Sequence, residues 1–300
     1  MKKQFIGNLL LLFTAFIWGT AFVFQRVGMD SIEPVSFNAA RMALAAVFIG
    51  ILAIFSWNKE KKNPAGKAAA DPKAYKKHTV LGGIFCGIFL SLGSILQQTG
   101  LVYTTAGKAG FITAMYILLV PVLGLIILKK KSSVIVWIAV LMGVAGMYFL
   151  CMNEGLSFSP GDIYVCICAF FFSFHILCCD HFAARGNAIC ISAIQFATAT
   201  VISVIVALMI EKPGMDKFIS AAVPILYCGI VSGGIGYTLQ MTGQKYTEPA
   251  TASLLMSLES VFAVITGVLV LQEHMSITEI IGCIIMFAAI ILVTVRGEKT

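Results

Sequence analysis

Charged side chains are scarce in this sequence. Only 12% of its 300 residues are Asp, Glu, Lys or Arg, and 59% are apolar. A soluble domain usually carries about a quarter charged residues. Because the scarcity extends over the whole length, it excludes a soluble protein with one membrane anchor. The composition instead predicts a protein that crosses the bilayer many times.

Motifs of catalytic and nucleotide-binding sites are missing. No Walker pattern occurs, and the glycine-rich "VSGGIG" lies inside an apolar run. Neither a G-x-S-x-G elbow nor an H-E-x-x-H pair is present. The nine cysteines show no paired spacing, and most lie in apolar runs, where free cysteine acts as a small apolar side chain. We therefore expect no ATP coupling by this chain alone, no enzyme and no cofactor.

Ten apolar windows of about twenty residues, the length that spans a bilayer, follow one another along the chain. They lie near 5–27, 35–56, 79–101, 107–128, 133–151, 161–182, 188–210, 220–242, 248–271 and 276–295. Turn-forming stretches such as "DSIEPVS" and "EKPGMDK" separate them. The pattern predicts an all-α polytopic membrane protein with ten transmembrane helices, in contact with the lipid bilayer.

Basic residues are distributed unequally between the loops. If the amino terminus is inside, sixteen Lys and Arg residues lie on the cytoplasmic side and four on the other. Cytoplasmic loops are enriched in Lys and Arg, so both termini and the Lys-rich loop near 58–78 are predicted to be cytoplasmic, in the cell membrane. The net charge of +7 then needs no nucleic-acid partner, because the basic residues show no aromatic interleaving.

The two halves of the chain repeat each other. The stretch "LQQTGLVYTTAGKAGFITAMYILLVP" aligns without gaps with "LQMTGQKYTEPATASLLMSLESVF" at an offset of 143 residues. Earlier in each half, an offset of 154 pairs Gly7 with Gly161 and Trp18 with Phe172. Repeated Gln, Thr-Gly and Tyr-Thr positions are not expected from shared apolar composition. We predict one five-helix repeat at 1–151 and a second at 152–300; because five is odd, the second is inverted, as in many secondary transporters.

The chain resembles the drug/metabolite transporter superfamily, specifically ten-span proteins built from two EamA-type domains. The stretches that carry the resemblance are "FIWGTAFVFQRVG", "NAARMALA" and both repeat segments. The resemblance covers almost the whole chain and implies export of amino acids or related metabolites. One departure is Ser260, where the family usually has proline after an acid; this leaves the ninth span less expected to kink.

Glu259 lies in the middle of the ninth span. An acid at that depth costs about 2.5–3.5 kcal/mol on insertion scales. Intramembrane acids usually face a wet cavity, which favours a role in transport, by binding a cationic group or carrying a proton. The alternative is a carboxylate that only locks two helices together.

Arg41 lies about two turns inside the second span. It could extend to the headgroups, or it could offer a planar fork to a substrate carboxylate or to Glu259.

Aromatic and amide side chains inside the spans complete the predicted substrate site. The aromatic candidates are Trp18, Tyr103, Tyr116 and Phe172; the amide candidates are Gln195 and Gln240, with Gln97 as a further membrane-embedded amide. Packing is the alternative for each of them. We expect Trp18, Arg41, Phe172, Gln195 and Glu259 to approach one central cavity from both halves.

The sequence "HILCCDH" places ligands for soft metals near the end of the sixth span: His175, Cys178, Cys179 and His181. One helix end rarely closes a metal site, so no metal residue is assigned. The main prediction is a secondary carrier of small organic metabolites that works by alternating access. The alternatives are a metal or other cation carrier that uses this cluster, and an enzyme acting on lipid. The oligomeric state and the coupling ion stay open.

Overall fold

The structure, a computed structural model, describes residues 2–62, 67–104, 106–129, 132–151, 159–271 and 276–296. Every regular element within these ranges is a helix. Eight helical segments are long and apolar enough to cross a membrane, and two shorter apolar helices, Val134–Phe149 and Ile280–Val293, add two more spans. The prediction of an all-α membrane protein with ten membrane helices is confirmed.

The helices follow the predicted spans closely. The first half contains α1 (Lys2–Met29), α2 (Pro34–Lys62), the short α3 (Lys67–Ala70), α4 (Pro72–Gly100), α5 (Ala106–Ala114), α6 (Tyr116–Leu128) and α7 (Val134–Cys151). The second contains α8 (Pro160–Ala183), α9 (Ala188–Ile210), the short α10 (Met215–Ser220), α11 (Ala222–Leu226), a π-helical segment (Tyr227–Gly236), α12 (Tyr237–Gln244), α13 (Pro249–Met256), α14 (Glu259–Leu271) and α15 (Ile277–Arg296). The predicted division after Cys151 borders residues 152–158, which lie outside the described ranges, so it stays a prediction.

Helix packing joins the two halves and is symmetric between them. Helix α2 packs on α9, and α7 packs on α15, so equivalent spans meet each other. Helix α4 packs on α8, and the equivalent pair, α12 on α1, is also in contact. Likewise α1 packs on α14 while α6 packs on α8. Exchanging the halves therefore reproduces the contacts, as an inverted repeat of five spans requires.

Matched glycines allow the closest of these approaches. A Cβ on Gly161 would lie 2.5 Å from the carbonyl oxygen of Gly100, and a Cβ on Gly7 would lie 2.9 Å from that of Gly243. Small residues let helix backbones touch inside a membrane, where van der Waals packing drives association. These two crossings use the residues that the repeat pairs with each other.

The fourth and ninth spans are interrupted at equivalent points. Helix α5 ends before Met115, and α13 ends before Ser257 and Leu258. The expectation that Ser260 makes a kink in the ninth span less probable is therefore wrong. The hydroxyls of Ser257 and Ser260 donate to the carbonyl oxygens three residues earlier, at 2.7 and 2.8 Å. Hydroxyl groups that bond in this way to the helix's own backbone bend helices. The two serines therefore account for the interruption of this helix without a proline.

Candidate functional site

A cavity lies between the two halves of the bundle, beside both interruptions. It is lined by side chains from α1, α2, α4, α5, α6, α8, α12, α14 and the π-helical segment. Six of the eight predicted site residues line it: Trp18, Arg41, Tyr116, Phe172, Gln240 and Glu259. Centres of water molecules have about 40 Å³ available, which is room for roughly three waters. The structure therefore shows a narrow site.

Glu259 is 3% exposed and begins the half-helix α14. The phenol of Tyr116 donates a hydrogen bond of 2.9 Å to its Oε1. The start of a half-helix favours a negative group, because the first backbone N–H groups have no partner within the helix. Within the described ranges no cation forms an ion pair with Glu259. The carboxylate thus lies at the cavity with one side-chain donor and no countercharge in contact.

Arg41 is 7% exposed and turned into the bundle. Its Nε donates to Oδ1 of Asn38 at 3.0 Å. Asn38 is itself fixed, since its Nδ2 donates to Ser94 Oγ at 3.2 Å and to Ser203 Oγ at 3.0 Å. No acid in the described part of the chain pairs with the guanidinium. The arrangement holds the Nε edge of a planar cation that lines the cavity.

Trp18 and Phe172, which the repeat pairs with each other, pack in the same way. A Cβ on Gly236 would lie 2.9 Å from Trp18 Nε1, and a Cβ on Gly93 would lie 2.8 Å from Phe172 Cδ1. Each ring thus fills the space that a glycine on the opposing span leaves free. The Trp18 indole also donates to the Ser232 carbonyl oxygen at 3.4 Å.

Tyr237 is a cavity residue that sequence reasoning missed. Its ring centroid lies 4.5 Å from that of Trp18, 5.2 Å from that of Phe196 and 5.8 Å from that of His175. It joins the aromatic side chains of both halves. The available signal was a tyrosine directly after the glycine-rich "SGGIG" in mid-span, where an interfacial position is excluded.

Unpartnered amides face the same space. Gln240 is 1% exposed, and neither its Oε1 nor its Nε2 has a hydrogen-bond partner. Oε1 of Gln25, a second lining residue that sequence reasoning missed, also lacks one. Buried polar atoms are costly without partners. The cavity therefore suits a polar occupant, either water or a substrate with several polar groups.

Two predicted site residues do not reach the cavity. Tyr103 is 57% exposed, because it follows the end of α4 and packs beside Gly161 near one end of the bundle. Gln195 is fully buried on α9, where its Oε1 lies 3.0 Å from Nε2 of His175, a cavity residue. Gln195 thus approaches the cavity and supports its wall without lining it, and its part in substrate binding stays a prediction.

The predicted His and Cys cluster is rearranged. His175 and Cys179 lie one helical turn apart and join Cys86 of α4, so that one ligand atom from each lies within 4.8 Å of the others. Neither Cys178 nor His181 belongs to this group. His181 is six positions from His175, which places it on another face of the helix. Cys86 was missed because the sequence does not show which span packs against α8.

Comparison with known proteins gives a consistent result. The profile of the family described as "EamA-like transporter family" matches residues 5–152 and 159–295. An uncharacterized transporter of Archaeoglobus fulgidus is 28% identical over 98% of this chain and 87% of its own length. The uncharacterized transporter YoaV of Bacillus subtilis is 20% identical over 98% of this chain and 97% of its own length. A solved crystal structure, 17% identical, superposes with a TM-score of 0.71 over 98% of this chain and 99% of the other, which shows a shared fold.

Proposed function

This chain belongs to the EamA-like transporter family and is a multi-pass membrane transporter rather than an enzyme, and from that premise we propose that it exports small organic metabolites carrying both an amino and a carboxylate group. Amino acids are the simplest members of this class. Transport is secondary, by alternating access across the cell membrane, with both termini in the cytoplasm. The substrate site consists of the eight residues predicted from the sequence. Six of them line the cavity, and Gln195 and Tyr103 contribute from outside it.

One observation carries the choice of substrate class. Arg41 and Glu259 line the same cavity, yet they form no ion pair with each other. Each charge therefore remains available to a ligand. A guanidinium can bind a carboxylate through two parallel hydrogen bonds, and a carboxylate accepts bonds from an ammonium group. A zwitterion satisfies both at once without adding net charge to the membrane interior.

The aromatic lining fits the remainder of such a substrate. Trp18, Phe172 and Tyr237 offer apolar faces, while Gln240 and Gln25 offer donors and acceptors. Ligand sites commonly combine an apolar wall with a few polar groups that fix orientation. These features support a small metabolite with an apolar or polar side chain and do not select one compound.

The narrow cavity fits one conformation of an alternating-access cycle. Room for roughly three waters is too small for an amino acid, so the substrate requires a wider conformation. At one end of the bundle Lys217, before the eighth span, donates to Glu33, before the second. In that conformation Glu259 is shielded from water, which disfavours an uncompensated charge. Proton exchange at Glu259 on opening is therefore part of the proposal.

The deciding experiment is counterflow into proteoliposomes. Vesicles loaded with a mixture of unlabelled amino acids are expected to accumulate at least one labelled amino acid, while vesicles loaded with sugars are not. The matched variants are Arg41→Gln, in the cavity, and Arg26→Gln, on an exposed position of α1. Loss of counterflow in the first variant alone supports the proposal. Flux that depends on an added metal ion, with no amino-acid counterflow, would favour a cation carrier instead.

A further inference from the structure

We propose that Cys86, His175 and Cys179 form a binding site for a soft or borderline divalent metal ion such as zinc, held between α4 of the first repeat and α8 of the second. All three side chains are buried, at 0 or 1% exposure. Thiolate sulfur and imidazole nitrogen are the ligands that zinc prefers in proteins.

The distances match those of a bound ion. Zn–S bonds of about 2.3 Å and Zn–N bonds of about 2.0–2.1 Å place tetrahedral ligand pairs about 3.8 Å (S to S) and about 3.6 Å (S to N) apart. The Sγ atoms of Cys179 and Cys86 are 3.8 Å apart. Cys179 Sγ lies 3.8 Å from His175 Nδ1 and 3.5 Å from Nε2. Two of the three pairwise separations are therefore those of ligands around one ion, and the third, between Cys86 and His175, is within 4.8 Å.

Gln195 holds the histidine in the tautomer that the site needs. An amide oxygen can only accept, so the 3.0 Å contact with Gln195 Oε1 assigns the proton to His175 Nε2. Nδ1 then carries the free lone pair and is the ligand atom. A hydrogen bond from the second ring nitrogen to an acceptor is the usual support of a metal-binding histidine. Gln195, which does not line the cavity, therefore has a defined role in orienting the His175 ring.

Charge balance favours a divalent ion at this depth. Each thiol that coordinates the ion releases one proton to water, so one M²⁺ enters and two H⁺ leave. Two thiolates and one divalent cation sum to zero charge, which avoids placing a net charge in the apolar interior. His175 lines the central cavity, and this gives the ion a path from water to the site. A water from that cavity would supply the fourth ligand.

The cluster departs from the repeat symmetry. The repeat pairs His175 and Cys179 with Ala21 and Gln25, and the offset of 143 pairs Cys86 with Gly229. None of these three partners can bind a metal in the same way. The shared packing of α4 on α8 and of α12 on α1 therefore does not require two cysteines and a histidine. Of these two equivalent interfaces, as far as their residues are described, only the one between α4 and α8 carries such a cluster, and the fold does not require it.

An ion at this place would link the two halves of the carrier. Cys86 belongs to the first repeat, whereas His175 and Cys179 belong to the second. If the halves move against each other during transport, the ion holds this interface together and slows the cycle. The existence of the site is independent of the proposed transport function, but this consequence rests on it.

The binding test uses purified protein in detergent, kept reduced with a phosphine and stripped of metal with a chelator. Cadmium is the spectroscopic probe, because thiolate coordination gives an ultraviolet charge-transfer band, and zinc is added as competitor. We expect one equivalent to bind, and at least tenfold weaker binding in Cys86→Ser and in Cys179→Ser. The matched control is Cys190→Ser, since Cys190 is buried on α9 and its Sγ contacts only the Ala53 carbonyl oxygen, at 3.6 Å, within the described ranges. No saturable band, or a band that Cys86→Ser retains, would overturn the site.

A measurement on the unaltered protein covers the case in which a variant does not fold. Zinc should slow the alkylation of Cys86 and Cys179, read by peptide mass spectrometry, but not that of the exposed Cys166. Equal rates with and without zinc would contradict the proposal. In proteoliposomes, zinc should inhibit counterflow of the unaltered protein at least tenfold more strongly than that of Cys86→Ser. Zinc accumulation inside the vesicles would identify the ion as cargo and would refute the proposal that it holds the interface together. Absence of counterflow with intact zinc binding would refute only the transport proposal.

Discussion

The phenol of Tyr116 donates a 2.9 Å hydrogen bond to Glu259, and these two residues occupy the same position of the two repeats, 143 residues apart. Each is the first residue of the half-helix that follows the interruption of its span. Residues at equivalent positions can touch only close to the axis that relates the repeats. The pair therefore lies near that axis, where transporters with inverted repeats place their binding sites.

The first prediction concerns this hydrogen bond. Tyr116→Phe removes the donor and leaves the ring in place. Because a hydrogen bond to a charged group contributes about 1.5–3 kcal/mol, we expect the apparent affinity for substrate to change by at least tenfold. Tyr148→Phe is the matched control, since Tyr148 is exposed on α7 and does not line the cavity. Counterflow titrations of both variants measure the effect; equal curves for the two would show that the bond has no part in transport.

The second prediction concerns the glycine crossings. Gly161→Ala places a Cβ 2.5 Å from the Gly100 carbonyl oxygen, so the backbones must separate. Overpacking of this kind costs typically about 1–3 kcal/mol, and the unfolding temperature in detergent should fall. The control is Gly50→Ala in α2, where a Cβ meets nothing within 4 Å. Alanine should stabilise that helix by about 0.5–1 kcal/mol. A Gly161→Ala protein as stable as Gly50→Ala would refute the close crossing.

Spans and repeats were predictable from the sequence because they depend on local composition and on matched polar positions. The repeat aligns Thr104 with Thr247 and Asn8 with Asp162, and the structure forms both bonds: Thr104 donates to Asp162 at 2.9 Å and Thr247 to Asn8 at 3.0 Å. Direction and depth of single side chains were harder to predict. Tyr103, for example, follows the end of α4 at Gly100, where the helical period no longer applies, and it does not line the cavity.

Contacts between distant spans were not predictable at all. Cys86 joins His175 and Cys179 only because α4 packs on α8, and no local sequence pattern predicts that these two helices are neighbours. The interruption of the ninth span was also missed, because proline was taken as the signal for a kink. Serine hydroxyls that bond to the helix backbone produce the same result from a different residue. The structure interrupts the fourth span at the equivalent position of the repeat.

The third prediction fixes the orientation. Lys73 is exposed near the start of α4, in the Lys-rich segment predicted to be cytoplasmic. A Lys73→Cys protein should not react with an impermeant thiol reagent on intact cells but should react after permeabilisation. Lys217→Cys, on the opposite side, should react in both conditions. Labelling of Lys73→Cys on intact cells would reverse the topology.

The fourth prediction uses the ion pair between Lys217 and Glu33. The Lys217 hydrogen bond lowers the pKa of Glu33 below its usual value. A depressed carboxyl pKa stabilises the folded state at pH above the unfolded value of about 4.3, and this contribution is lost as the pH falls through the folded-state pKa. Glu33→Gln should therefore lower the unfolding temperature at pH 7, by an amount that shrinks as the pH falls toward 3.5. Both side chains are partly exposed, so the difference should be small and weaker in high salt. An undiminished difference at pH 3.5 would assign the effect to another cause.

The last prediction concerns why a membrane span retains an acid. Glu259 is buried at the cavity with the Tyr116 hydroxyl as its donor, and Arg41 lines the same space without pairing with it. A purely structural acid would be expected to hold a partner helix through a closed network of bonds. The free acceptor sites of Glu259 instead suit a substrate ammonium group or a proton. Glu259→Gln keeps the shape and a carbonyl acceptor for Tyr116, but it removes both charge and titration.

Glu259→Gln should therefore insert and fold normally, which size-exclusion chromatography in detergent can verify. Because a charge-assisted hydrogen bond contributes about 1.5–3 kcal/mol, counterflow affinity for amino acids should fall roughly tenfold or more, and the pH dependence of transport should flatten. Glu248→Gln, at an exposed position before α13, is the matched control and should retain both. Flux by Glu259→Gln with unchanged affinity and pH dependence would show that the carboxylate only joins α14 to α6. In that case the cost of its burial would be offset by helix packing alone, and the transport cycle would need another titrating group.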